Sequence, residues 1–96
     1  MIVELAVLPS GVGASVSRYV KEAVKIIKES TGKVHNSPMC TVFEVSTFRQ
    51  LSEILEKIDK KMEEMGVPRE IFHINIDIRR DKKINMEYKL SRIMQQ

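Results

Sequence analysis

Apolar and polar positions along the chain mark an alternation of strands and helices. Residues 2–8, Ile2-Val3-Glu4-Leu5-Ala6-Val7-Leu8, read as a strand with Val3, Leu5 and Val7 on one face and Ala6 and Leu8 beside Glu4 on the other. A strand apolar on nearly both faces needs cover on both. Residues 15–30 follow a helical period: Val16, Tyr19, Val20, Ala23, Val24 and Ile27 form one stripe, opposed by Arg18, Lys21, Glu22, Lys25, Lys28 and Glu29. Gly32 suits the cap that ends such a helix. A short strand is expected over 33–37 and a longer one over 39–45, with Asn36-Ser37-Pro38 as the turn between them. Thr47 with Gln50 forms a capping-box pattern ahead of Phe48, Leu51, Ile54, Leu55, Ile58, Met62 and Met65, and Gly66 and Pro68 stop that second helix. Residues 71–79 read as a strand, alternating strictly from Phe72 onward, the clearest strand signal in the chain. A charged turn over 80–85 leads into a final helix over 86–96, with Met86, Leu90, Ile93 and Met94 on one side.

The order β-α-β-β-α-β plus a C-terminal helix is that of the ferredoxin-like split βαβ motif. It predicts an α+β fold, a four-stranded antiparallel sheet with two helices on one face. The other face would be open in a lone subunit. The apolar Ala6 and Leu8 on it call for a cover, either a second sheet from another subunit or the C-terminal helix.

The chain has 96 residues, so residues 1–96 are expected to form one domain with a modest core. Its apolar share of 43% and charged share of 30% fit a globular protein. The net charge of +3 is spread among acids, as in Lys57-Ile58-Asp59-Lys60-Lys61-Met62-Glu63-Glu64, which reads as a solvated helix face and not as a nucleic-acid patch. Two tyrosines, three phenylalanines and no tryptophan leave little for base stacking. Cys40 is the only cysteine, which excludes an internal disulfide and fits a reducing, cytoplasmic setting. The apolar run over 2–8 lacks a basic region before it and contains Glu4, so it reads neither as a signal peptide nor as a membrane span.

Candidate chemistry begins at the junction Leu8-Pro9-Ser10-Gly11-Val12-Gly13-Ala14-Ser15-Val16-Ser17. Glycines allow close approach, and hydroxyls beside a helix start offer donors to a polar or anionic group. Ser15 equally reads as an N-cap. The loop lacks the third glycine of a dinucleotide site, and no Walker A sequence exists in the chain. His35, Cys40 and His73 lack metal-ligand spacing, so no metal is expected. Cys40 with His35 is a conceivable nucleophile and base, set against a small residue filling a strand position. Glu44 sits inside the apolar run Val42-Phe43-Glu44-Val45, and must be paired, protonated or reserved for a cationic ligand. The run Arg79, Arg80, Lys82 and Lys83 reads as a solvated turn or as a phosphate contact.

These features, in this order, resemble the UPF0045 (DUF77) family of small ferredoxin-like thiamine-binding proteins. The resemblance rests on Pro9 and the loop after it, Ser15-x-Ser17-x-Tyr19-Val20, Pro38-Met39-x-Thr41 followed by Glu44, and Arg79 with Met86-Glu87-x-Lys89. It covers essentially the whole chain. It implies a cytoplasmic homo-oligomer, dimer or tetramer, that binds thiamine or its hydroxymethylpyrimidine half as carrier or sensor. It implies no chemical reaction; no cofactor, and neither a nucleic-acid nor a membrane partner, is expected of the chain. Ligand contact is carried onto Ser15, Ser17, Thr41, Glu44 and Met39. An aminopyrimidine can pair with a carboxylate and hydroxyls, and a thiazolium cation would favour Glu44. Cys40 and Val45 stand where the family often has glycine. Thr41 and Glu44, an odd number of residues apart, point to opposite faces of a regular strand. The alternative is an oligomeric regulatory or interaction module that takes an anion or another metabolite at the glycine loop.

Overall fold

The central strand, β1 (Ile2–Ser10), sets the frame of the computed structural model, which describes residues 1–94. It pairs antiparallel with β3 (Thr41–Glu44) on one side and β4 (Arg69–Asp77) on the other. β2 (Val34–Asn36) adds to β3, giving the order β2-β3-β1-β4. This is the ferredoxin-like fold.

The period-2 pattern of β1 divides the molecule. Val3, Leu5 and Val7 are buried on one face with Phe43 and Thr41 of β3. Two helices cover that face. Helix α1 (Ser17–Ser30) buries Tyr19, Ala23 and Ile27, and α2 (Phe48–Glu64) buries Leu51, Ile54, Ile58 and Met62. Together these side chains form one core. The capping pattern at α2 is realised: the Gln50 N–H donates to Thr47 Oγ1 at 3.1 Å. The Gln50 side chain reaches one residue further back than in the usual box, accepting from the Ser46 N–H at 2.8 Å.

Several boundaries differ from the sequence expectation, each for a local reason. α1 starts at Ser17 with Val16 as N-cap and no side-chain cap, so Ser15 lies outside the helix and does not cap it. β3 starts at Thr41 because Ser37 ties the preceding residues into a turn. Its Oγ accepts from the N–H groups of Met39 and Cys40, and its N–H donates to the Cys40 carbonyl. β4 begins and ends two residues earlier than its alternation predicts. Its ladder runs from Ser10↔Arg69 to Ile2↔Asp77, and β1 offers nothing to pair beyond Ile2. Ile78 and Arg79 therefore leave the sheet.

Helix α3 (Met86–Met94) crosses the other face of the sheet; the last two residues of its expected span lie outside the described residues. None of its residues is buried.

Candidate functional site

The sheet has an open corner. β3 follows β1 only from Ile2 to Leu5, whereas β4 follows it to Ser10. Among the described residues no strand pairs with 6–10 on the β3 side. α1 passes over this corner, and a cleft of about 950 Å³ opens between the N-cap Val16, Val20 and Val24 of α1, and the turn over 36–41. Leu5, Ala6, Val7 and Leu8 all line it. Consecutive strand residues point to opposite faces, so the cleft meets the strand's edge and its peptide groups. The volume is that of a small-molecule site, roughly 300–1,000 Å³.

Thr41 is the polar residue at the inner end of this cleft, only 7% exposed. Met39 stands at the mouth, 85% exposed, held there by the Ser37 turn. Ser15 and Ser17 lie just before and at the start of α1, both exposed and flanking the lining residue Val16. Of the five residues carried over from the resemblance, Thr41 and Met39 line this cleft, and Ser15 and Ser17 lie beside it without lining it.

Glu44 is on the other face. Its register partner is Ile2, while that of Thr41 is Leu5. The ladder runs through these positions without a bulge, so the two side chains stay on opposite sides of the sheet. Glu44 Oε2 accepts the Met86 N–H at 3.2 Å. A carboxylate at the first residue of a helix meets an unpaired N–H and the positive end of the helix dipole. Of the outcomes open to this carboxylate, the fold uses it to start α3.

A second concavity, of about 460 Å³, lies between α3 and the sheet and shares no lining residue with the first. Its walls include Ile2, Val42, Met86, Leu90 and Ile93, and Glu4 reaches its lining from the centre of β1. Glu4 Oε1 accepts from Asn75 Nδ2 at 2.7 Å, and Oε2 accepts from the Cys40 thiol at 3.7 Å. Glu4 had the same sequence signal as Glu44, a carboxylate inside an apolar strand.

The remaining candidates resolve into local contacts. Cys40 Sγ has Ser37 Oγ at 3.4 Å besides Glu4, and His35 stands opposite Val42. A carboxylate and a hydroxyl do not supply the basic partner that a nucleophilic cysteine needs. In the 79–83 run, Arg79 pairs with Asp81, and Lys82 bonds the Tyr88 hydroxyl and lies 4.5 Å from its ring centroid. Among the described residues no three of His, Cys, Asp and Glu gather as a metal set. Gly11 has a positive φ of 82°, and its Cα packs against Pro68, so the close approach this glycine permits is to the chain's own β4 entry.

One titrating group escaped sequence reasoning. Glu70, at the start of β4, has a buried Oε2 without a hydrogen-bond partner. Burial, then the neighbouring Asp59 carboxyl of α2, push its pKa up to about 7.

The sheet order, the helices on one face and the mixed apolar and hydroxyl-bearing corner cleft define a small ferredoxin-like α+β protein with a concave site at the sheet edge. The chain belongs to the thiamine-binding protein family, whose sequence profile matches residues 3–94. It is 36% identical over 95 residues to the UPF0045 protein MJ1052 of Methanocaldococcus jannaschii, covering 97% of this chain and 91% of that protein. The crystal structure of MJ1052 superimposes with a TM-score of 0.84, covering 96% of this chain and 93% of the other. A UPF0045 protein of Staphylococcus xylosus is 35% identical over 97 residues, covering 96% of this chain and 90% of that one. A Thermotoga maritima structure, assigned provisionally to thiamine biosynthesis or salvage, is 20% identical with a TM-score of 0.80 over 96% of each chain, a likeness of fold. The family is named for binding a ligand and not for a reaction. Among the described residues, no helix is long and apolar enough to cross a membrane.

Proposed function

We propose that this protein is a non-enzymatic binding protein for thiamine or a related hydroxymethylpyrimidine, acting as a carrier or sensor in the cytoplasm. The observation that carries this reading, beside family membership, is the corner cleft with Thr41 at its inner end. Apolar groups of α1 offer a slot for a flat ring, and the Thr41 hydroxyl and the Asn36 amide offer partners for its amine and ring nitrogens. In this reading Ser15 and Ser17, which flank the lining residue Val16, contact the hydroxymethyl group, and Met39 closes over the ring. Glu44 contacts the same ligand only across a subunit boundary, since its own sheet separates it from Thr41. This fits a homo-oligomer, dimer or tetramer, in which one subunit's open sheet face meets another subunit.

Calorimetric titration of thiamine and of hydroxymethylpyrimidine tests the reading. Saturable binding that Thr41→Val weakens tenfold or more supports it. Absence of heat with both compounds, together with no thermal stabilisation at millimolar ligand, rejects it.

The second reading is a regulatory module that takes an anion at the glycine loop. It is favoured by the first turn of α1, which has neither a side-chain cap nor an acidic residue. Stabilisation by phosphate or sulfate without any effect of thiamine would put it first.

A further inference from the structure

The open edge of β1 has a fixed order of donors and acceptors. Met1 and Val45 exchange both main-chain bonds: the Met1 amino group donates to the Val45 carbonyl at 2.8 Å, and the Val45 N–H donates to the Met1 carbonyl at 3.0 Å. In an antiparallel pair, residues bonded to each other in this way alternate with residues that are not. Counted from Met1, the residues of β1 that turn N–H and C=O toward β3 are Val3, Leu5, Val7 and Pro9. The residues between them turn theirs toward β4. The partner segment keeps the same count: the Glu44 N–H and the Cys40 carbonyl point away from β1, to the Lys33 carbonyl and the Ser37 N–H.

The ladder to β3 stops at Leu5↔Thr41. In the same register Val7 would meet Met39, but the Ser37 turn withdraws it: the Met39 N–H donates to Ser37 Oγ at 3.3 Å. The N–H and C=O of Val7 have no hydrogen-bond partner among the described residues. Val7 is nevertheless only 8% exposed, and it lines the corner cleft. Buried main-chain groups are seldom left unpaired, because their lost hydration is then uncompensated. Pro9, next on this side, offers a carbonyl and no N–H. Past Leu5 the edge therefore reads donor, acceptor, acceptor, and its one donor is Val7. An added strand would find no donor at Pro9. A flat ring with an acceptor beside a donor needs only the Val7 pair.

We propose that the main-chain N–H and C=O of Val7 are the specificity-determining pair of the cleft, reading the edge of a 4-aminopyrimidine. This rests on the reading of the cleft as a pyrimidine site. The Val7 N–H donates to the ring nitrogen beside the amine-bearing carbon, and the amine donates to the Val7 C=O. The ring takes the place in the sheet that Met39 gave up to the Ser37 turn. The second ring nitrogen is left to the Thr41 hydroxyl or the Asn36 amide, which line the same cleft.

The chain permits a direct test. Cys40 is its only cysteine and follows the whole of β1, so a synthetic 1–39 segment can be ligated to 40–96 at a native residue. The probe is 4-amino-5-hydroxymethyl-2-methylpyrimidine, titrated by calorimetry into the full-length protein. An ester in place of the Val7 amide removes its N–H and should lower the affinity about tenfold, the loss of one hydrogen bond. An ester at Gly32, which lines neither cavity, should leave the affinity unchanged. The pyridine analogue, with C–H in place of the ring nitrogen beside the amine-bearing carbon, should bind the unmodified chain about tenfold more weakly. It should lose nothing further to the Val7 ester. Amide exchange on the unmodified chain supplies a second readout that no altered backbone can disturb. The Val7 amide should exchange faster than those of Val3 and Leu5, and should slow on saturation with the pyrimidine. Pyrimidine binding that is equal in the Val7 ester, or that leaves Val7 exchange unslowed, overturns the proposal and leaves the thiamine reading standing. No binding to the unmodified chain rejects both. A Val7 amide protected like Leu5 in the free protein, with protection that rises with protein concentration, also overturns the proposal and assigns the edge to a strand of a second copy.

Discussion

Thr41 and Glu44 are three residues apart on one short strand, yet the sheet lies between their side chains. Thr41 is paired with Leu5 and buried on the helix side, whereas Glu44 is paired with Ile2 and caps α3 on the far side. Substitutions at the two positions should therefore separate. Thr41→Val should leave α3 intact and impair ligand binding in the corner cleft. Glu44→Gln weakens the acceptor at the α3 N-terminus and should cost about 0.5–1 kcal/mol of local stability. Amide hydrogen exchange would show this as faster exchange confined to 86–94, and equal protection there in both variants would refute it.

Glu70 gives the molecule a pH dependence of known sign. Its folded value of about 7 lies above the ordinary 4.5, so the folded state holds the proton more tightly than the unfolded chain. The associated stability is complete below about pH 4.5 and is lost as pH rises through about 7. Glu70 is only partly enclosed and solvent screens its pairing with Asp59, so the effect is on the order of 1 kcal/mol. Urea unfolding at pH 5 and pH 8 should show wild type losing more than Glu70→Gln between the two. At pH 8 the variant should be the more stable.

Gly11→Ala should be among the more damaging single-methyl changes. The backbone there has φ of 82°, and an added Cβ would sit 2.6 Å from Cγ of Pro68. Strain and contact together should destabilise by roughly 1–3 kcal/mol. Gly13, also at positive φ but facing open space, should lose less on the same substitution. Thermal melts of the two variants compare them directly.

Thr47→Ala removes the side-chain acceptor of the Gln50 N–H at the start of α2. The expected loss is about 1 kcal/mol. Thr47→Asp should retain most of the stability, since aspartate caps equally well. A Thr47→Asp variant as unstable as Thr47→Ala would show that the cap contributes little here.

The sequence carried the architecture because each core element has its own period. Val3, Leu5 and Val7 alternate, Tyr19, Ala23 and Ile27 recur at helical spacing, and Thr47 announces α2; all are buried or capped as that pattern requires. The strand ends were less legible, because they depend on what lies alongside. Ile78 continues the alternation of β4 but leaves the sheet where β1 runs out. The Ser37 turn shortens β3 through hydrogen bonds to three backbone groups that no local propensity announces. At the site, strand parity already separated Thr41 from Glu44. The partner of Glu44 was not legible, since Met86 is 42 residues away in sequence. Glu70 was missed for a similar reason: its environment is made by Asp59 on another element.

The unpaired edge of β1 has a bearing on how a family like this one diverges. Three consecutive residues, Ala6 to Leu8, lie past the end of β3 and face the corner cleft with their peptide groups. Main-chain donors and acceptors are common to every amino acid, so a ligand held there is read partly by a surface that mutation cannot rewrite. Relatives can then exchange most side chains, as the 35–36% identities here attest, without removing those main-chain groups. Changes of ligand preference would be concentrated in the few side chains at the rim, among them Met39 and Cys40.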